Sequence, residues 1–259
     1  HRLRFGANIV GRIPEPAGCG LIRSSGRRRD ARYQHRFGLA CDSADAAFRS
    51  SRHLKILQMP RVRVHQHVNP LSPFYRQAPK PVDTADVFAD PSRPLHLDIG
   101  CARGRFLLRM AEVEPAWNYL GVEIRKPLVD EANRLAAEAG LTNLHYAFCN
   151  AMLWLDRLLE GVPEGLLQMV TIQFPDPWFK KKHAKRRMVN KEMVDTTARH
   201  LAPDGQVFVQ TDIEFLAEEM FGLFRSDGRF SEIGTATNQF AVKTERETAV
   251  EEKGLPVFR

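Results

Sequence analysis

From residue 92 onward, short apolar runs alternate with stretches whose apolar residues recur at helical spacing. Runs at 95–99, 119–123, 144–148, 169–174 and 206–210 predict strands. Helical spacing over 104–113, 127–139, 151–160, 189–201 and 213–225 predicts the helices between them. Pro115, Gly140 with Thr142-Asn143, and Pro203-Asp204-Gly205 fall at the junctions, where turn and cap residues belong. Strands that are apolar throughout, each followed by a helix, point to a doubly wound α/β domain with a mostly parallel sheet. In such a sheet ligands bind beyond the carboxyl ends of the strands, where strand order reverses. The chemistry is therefore expected just after each strand.

Charge divides the chain unevenly. Residues 1–58 carry twelve Arg or Lys against four acids, so the net of +7 for all 259 residues leaves the remainder near neutral. These first 58 residues have no helical or strand period, and a chain of that composition is expected to stay disordered. The reading is thus an Arg-rich extension over 1–58 and a folded domain over 59–259. The extension would suit an organellar transit peptide, which would put the protein in a chloroplast or mitochondrion. Alternatively Met59 is the start and the upstream residues a gene-assignment artefact, which leaves a soluble cytoplasmic protein. Within the near-neutral body, positions 180–191 hold seven basic residues and no acid, a knot suited to a polyanion. Cys19, Cys41, Cys101 and Cys149 show no metal-ligand spacing and read as free or buried thiols, so no metal is expected.

The first strand runs into Asp98-Ile99-Gly100-Cys101-Ala102-Arg103-Gly104, whose small residues let the backbone approach a ligand before a helix begins. Glu123 closes the second strand where a ribose-binding acid is expected. A ribose diol occurs both in NAD and in S-adenosylmethionine. The Gly-x-Ala-x-Gly spacing, with Asp98 ahead of it, departs from the dinucleotide fingerprint and favours the methyl donor, whose ammonium needs a carboxylate.

The fourth strand ends in Gln173-Phe174-Pro175-Asp176-Pro177-Trp178-Phe179, followed at once by the basic run. Two prolines stiffen the turn around Asp176, and the lysines and arginines behind it would neutralise phosphates. Trp178 would either stack on a base or pack beneath the loop. This Phe-Pro-Asp-Pro-Trp loop running into Lys182-His183-Ala184-Lys185-Arg186-Arg187 resembles the tRNA (guanine-N7)-methyltransferases. So do Gln66-His67-Val68-Asn69-Pro70-Leu71, Gln210-Thr211-Asp212 and Thr244-Glu245-Arg246-Glu247.

The resemblance implies a Rossmann-like class I methyltransferase fold with an antiparallel edge, acting on a guanine in the tRNA variable loop with S-adenosylmethionine as cofactor. By the same resemblance Asp98, Gly100, Gly104, Glu123, Asn150 and Ala151 would contact the cofactor. Asp176 would border it and be the catalytic carboxylate. Lys180, Asp212, Thr244, Glu245, Arg246 and Glu247 would hold the guanosine, and Lys182 to Arg187 the RNA. Relatives work as monomers or homodimers, or with a β-propeller subunit in eukaryotes.

The chain departs from the family in Ala102 for Gly, acceptable only at negative φ; in Asn150 for Asp; and in Arg246 for Tyr. Rival readings are a small-molecule methyltransferase, with no role for residues 180–191, and a non-catalytic RNA-binding protein, against which Asp98, Glu123 and Asp176 are all present. Elsewhere bland roles are expected: packing or surface for His65 and His67, core for Phe221, Phe224 and Phe230, and burial for Cys101 and Cys149.

Overall fold

The computed structural model describes residues 8–12 as backbone, and residues 64, 68–234 and 237–259 in full. Apart from 8–12, the readings of the 1–58 extension lie outside the described residues, as do Cys19, Cys41, His65 and His67.

In chain order the elements begin with β1 (Asn8–Arg12), a 3-10 turn (Pro73–Arg76), α1 (Thr84–Val87), β2 (Leu95–Ile99), α2 (Arg105–Val113), β3 (Asn118–Glu123) and α3 (Lys126–Ala139). Then come β4 (Leu144–Phe148), α4 (Ala151–Leu159), β5 (Leu167–Gln173), a second 3-10 turn (Lys181–Arg186), α5 (Lys191–His200) and β6 (Gln206–Gln210). The last three are α6 (Glu214–Arg225), β7 (Phe230–Gly234) and α7 (Glu245–Glu251).

The strands form one sheet in the order β4-β3-β2-β5-β6-β1-β7. Strands β2 to β6 pair in parallel, and β1 is antiparallel to both β6 and β7. This is the expected mostly parallel sheet, with its antiparallel pairing confined to one side. The antiparallel strand itself comes from a stretch with no strand period. Its pairing uses backbone groups, which ask nothing of side-chain alternation.

Every residue of β2 and β3 is buried, because helices cover both faces of the sheet. On one side Leu97, Ile99, Val170, Ile172, Val207 and Val209 join a core with α4, α5 and α6. A ring cluster lies around His96, whose imidazole stacks 5.3 Å from Phe240 and meets Phe106 and Tyr119 edge-on or tilted. Burial pushes the His96 pKa down to about 3, so the ring is neutral. Phe221, Phe224 and Phe230 are core, as expected. Helix α5 starts two residues later than its apolar pattern, because Asn190 caps it by accepting from Met193 N at 2.8 Å. Among the described residues no helix is long and apolar enough to cross a membrane.

The chain leaves β2 toward β3 and β4, then crosses back to β5 on the other side of β2. Strand order therefore reverses between β2 and β5, which is where a ligand crevice is expected.

Candidate active site

A cavity of about 790 Å³ opens at that reversal, within the range of small-molecule sites. Its wall combines the loop after β2, the end of β3, the start of α4, the turn after β5 and the segment entering α7.

Asp98, at the end of β2, is buried and accepts from Thr171 Oγ1 at 2.7 Å and from Gln173 Nε2 at 3.4 Å. Both donors are neutral and both stand on β5, Thr171 in register beside it and Gln173 two residues further on. Burial pushes the Asp98 pKa up to about 6, against the pull of the two hydrogen bonds, with the nearby Glu123 charge adding to the rise. A carboxylate so placed is suited to a cationic ligand group.

The loop behind it is held by Gly100 N and Cys101 N, which both donate to Val122 O, at 2.8 and 3.1 Å. Gly104 caps α2 in the left-handed region, and a Cβ there would lie 2.5 Å from the Tyr146 ring. The Tyr146 hydroxyl donates to Gly104 O at 2.5 Å, so only glycine fits. Ala102 corrects the sequence reading. It was acceptable only at negative φ, yet it sits at φ 50°, and the loop carries that residue's left-handed strain. Cys101 and Cys149 are buried free thiols, as expected.

Glu123 is buried and engaged by a residue the sequence reading passed over. Arg125 Nε and Nη2 donate to its two oxygens at 2.8 and 2.9 Å, and Arg125 N donates to Oε1 at 3.0 Å. Asp176 acts on the same guanidinium and raises its pKa together with Glu123. Arg125 thus bridges electrostatically between the ribose-side acid and the loop acid. Its signal in the sequence was a lone Arg two residues past Glu123.

Asn150 stands at the N-cap position of α4 without a side-chain capping bond, and Ala151 is buried beside it. Its amide donates to Pro70 O at 2.8 Å and Tyr75 O at 3.3 Å, so it ties down the 70–75 segment. A carboxylate could not donate these bonds.

The turn after β5 is strained at Phe174 (φ 52°) and Trp178 (φ 44°), two non-glycine residues in the left-handed region flanking Asp176. Arg187 holds the turn, with Nε donating to Pro177 O at 3.0 Å and a pair to Glu219 on α6. Trp178 packs beneath the basic turn, with the Arg186 guanidinium 4.9 Å from its ring and His183 edge-on at 5.7 Å. Lys180, Lys182 and Lys185 are exposed, His183 and Ala184 half-buried, and Arg186 reaches the cavity wall. Arg186 Nε is buried with no hydrogen-bond partner among the described residues.

Of the segment entering α7, Thr244, Glu245 and Arg246 line the cavity; Glu247 does not. Arg246 pairs with Asp212, which is also on the wall, and Glu245 pairs with Arg105. Glu247 is fully buried, accepting from Asn238 Nδ2 at 2.8 Å, Gln210 Nε2 at 3.1 Å and Arg259 Nη2 at 2.7 Å. With Thr244 it forms a capping box, which is the other meaning of a Thr-x-x-Glu spacing. The cavity therefore brings together every expected site residue except Gly104, Lys180, Glu247 and, of the basic turn, all but Arg186.

A family profile described as "Putative methyltransferase" matches residues 92–259. Over 205 residues, 78% of the chain and 95% of the relative, the chain is 53% identical to a tRNA (guanine-N(7)-)-methyltransferase of Trichormus variabilis. It is 54% identical to the protein of that name from Synechococcus elongatus over 204 residues, 78% of the chain and 96% of the relative. To the one from Synechocystis sp. it is 49% identical over 205 residues, 78% of the chain and 97% of the relative.

Proposed function

The chain belongs to the tRNA (guanine-N(7)-)-methyltransferase family, and we propose that the cavity at the β2–β5 crevice is where it methylates guanine. The reaction moves a methyl group from S-adenosylmethionine to N7 of a guanine in tRNA. The observation that carries the assignment is the meeting of two buried acids, Asp98 and Glu123, with Asp176 on one cavity wall.

The residues present fit the cofactor. Asp98 is buried beside neutral donors only, and an ammonium group would supply its missing countercharge. Arg125 takes both acceptor sites of Glu123 Oε1 and one of Oε2, and the site left on Oε2 can accept from a ribose hydroxyl. The left-handed Gly100 lets the backbone turn on the cavity wall, and Gly104 behind it makes room for Tyr146, which fixes the loop. When bound, the cofactor supplies an electrophilic methyl group on a sulfonium.

Guanine N7 carries a free lone pair, so no side chain has to remove a proton before attack. The protein's task is to align acceptor and donor, which contributes about 7–11 kcal/mol at best. Asp176, on its proline-stiffened turn, accepts hydrogen bonds from the base N1–H and exocyclic amine and stabilises the positive charge that grows on the purine. Thr244, Glu245 and Arg246 border the same space and contact the base there. Exposed Lys180, Lys182 and Lys185 neutralise phosphates, and Arg186 adds its charge on the cavity wall.

Asp176→Ala is expected to lower methyl transfer about 100- to 1,000-fold, the usual effect of losing one electrostatic stabiliser. Labelled methyl transfer to unmodified tRNA, with the product nucleoside identified, measures this beside cofactor affinity. Equal losses of turnover and cofactor affinity would make Asp176 a cofactor ligand instead.

A further inference from the structure

Phe179 is 67% exposed, an unusual state for a large apolar ring, and it stands on the lip of the cavity. It is not loose there. Its ring packs edge-on against Phe215, 5.8 Å away at 61°, and Phe215 is itself 42% exposed. On Phe215 the Arg187 guanidinium lies 5.1 Å from the ring centre, and Arg187 is fixed by Glu219 and the Pro177 carbonyl. The result is a braced aromatic shelf at the cavity mouth. Lys180, Lys181 and Lys182 follow it immediately, all exposed.

We propose that Phe179, braced by Phe215, is a stacking platform for an unpaired nucleobase of the tRNA adjacent to the guanine that enters the cavity. The inference rests on the tRNA reading of the cavity and extends it to a second base site. A base must leave its stack before a buried pocket can take it, and its neighbours then expose their faces. An aromatic ring gives such a face a partner whatever the base, while the adjacent lysines hold the backbone. A protein partner fits the shelf less well. Two rings fall far short of the ~1,000 Å² that a specific interface needs, and lysine is depleted at interface cores.

The test is equilibrium binding of unmodified tRNA to the full chain and to Phe179 variants across a salt series, with cofactor affinity and sedimentation of the protein alone as controls. Phe179→Ala is expected to weaken tRNA binding about 5- to 140-fold, which is the ~1–3 kcal/mol of base–aromatic stacking at 1.4 kcal/mol per tenfold. The slope of affinity against salt should not change, because no cation is removed. Phe179→Trp should restore binding, and Phe179→Leu should stay weak because it offers apolar area without a π face. Wild-type tRNA affinity in Phe179→Ala, or full affinity in Phe179→Leu, would overturn the platform. So would a changed sedimentation coefficient in Phe179→Ala, which would assign the shelf to a contact between protein chains. Methyl transfer to tRNA by the wild-type chain separates the two readings. If it is present while Phe179→Ala binds normally, only the platform falls; if it is absent, the tRNA reading itself falls.

Discussion

Asp98 makes the site answer to pH. Burial lifts its pKa to about 6, from the ordinary carboxylate value near ~3.9. The folded protein therefore binds a proton there that the unfolded chain has already released, and the Asp98 contribution to stability falls as pH rises from about 4 to about 6. Ligand binding runs the other way, since a cationic ammonium prefers the charged form. Cofactor affinity is expected to weaken about tenfold per pH unit below ~6 and to level off above it, and to be flat across that range in Asp98→Asn. Equilibrium dialysis with labelled cofactor reads both profiles. A flat wild-type profile would mean that the ammonium does not meet Asp98. The acid at the strand end was legible as a residue type. Its raised pKa was not, because burial by the fold raises it, with the Glu123 charge adding to the rise, while the hydrogen bonds from Thr171 and Gln173, 73 and 75 residues away in the chain, only partly offset it.

Among the elements, the turn after β5 decides how the basic run is used. By sequence, Arg186 and Arg187 are two more cations in a phosphate clamp. The fold turns Arg187 inward, its side chain only 12% exposed, to hold the Pro177 and Trp178 carbonyls and Glu219. Arg187→Ala should therefore loosen the Asp176 turn and cost about 2–3 kcal/mol of stability, while leaving the salt dependence of tRNA binding as it was. Lys182→Ala should do the reverse, reducing the salt slope by about one unit with stability unchanged. Thermal melts and salt titrations of both variants check this. A reduced slope in Arg187→Ala would return that residue to the phosphate contacts. The strain at Phe174 and Trp178 has the same origin. Two prolines in three residues announce a stiff turn, but the φ of their neighbours is set by what the turn is tied to.

Across the molecule, a buried polar chain links the two halves of the site. Gln173 donates to Asp98 and accepts from Gln210 Nε2 at 2.8 Å, and Gln210 in turn donates to Glu247, which pairs with Arg259. The cofactor carboxylate and the segment entering α7 thus share one network, with Arg259 Nη2 also 3.2 Å from Glu251. Glu247→Gln is expected to lower stability by about 3 kcal/mol, because it leaves a buried guanidinium short of a charge. For a chain of this size that corresponds to a fall in Tm of about 6–12 °C. A Tm within about 2 °C of wild type would mean that Glu251 alone balances Arg259.

The sequence by itself determined the elements and the chemistry they can carry. Apolar period placed the five parallel strands and five long helices to within a residue or two, since a strand buried on both faces and an amphipathic helix must show their patterns locally. Motifs placed Asp98, Glu123 and Asp176 at strand ends, where the fold class puts ligands. Only the tertiary structure decided how these groups are partnered. Strand β1 came from residues without a period, and its ladders to β6 and β7 are what place it. Arg125 closed on Glu123, Asn150 became a brace for residues 70–75, and Glu247 withdrew from the cavity into a buried ion pair. The physical reason is common to all of them. A charge or an amide has no direction in a sequence, and its role is fixed by which groups, distant along the chain, desolvate it and which satisfy it.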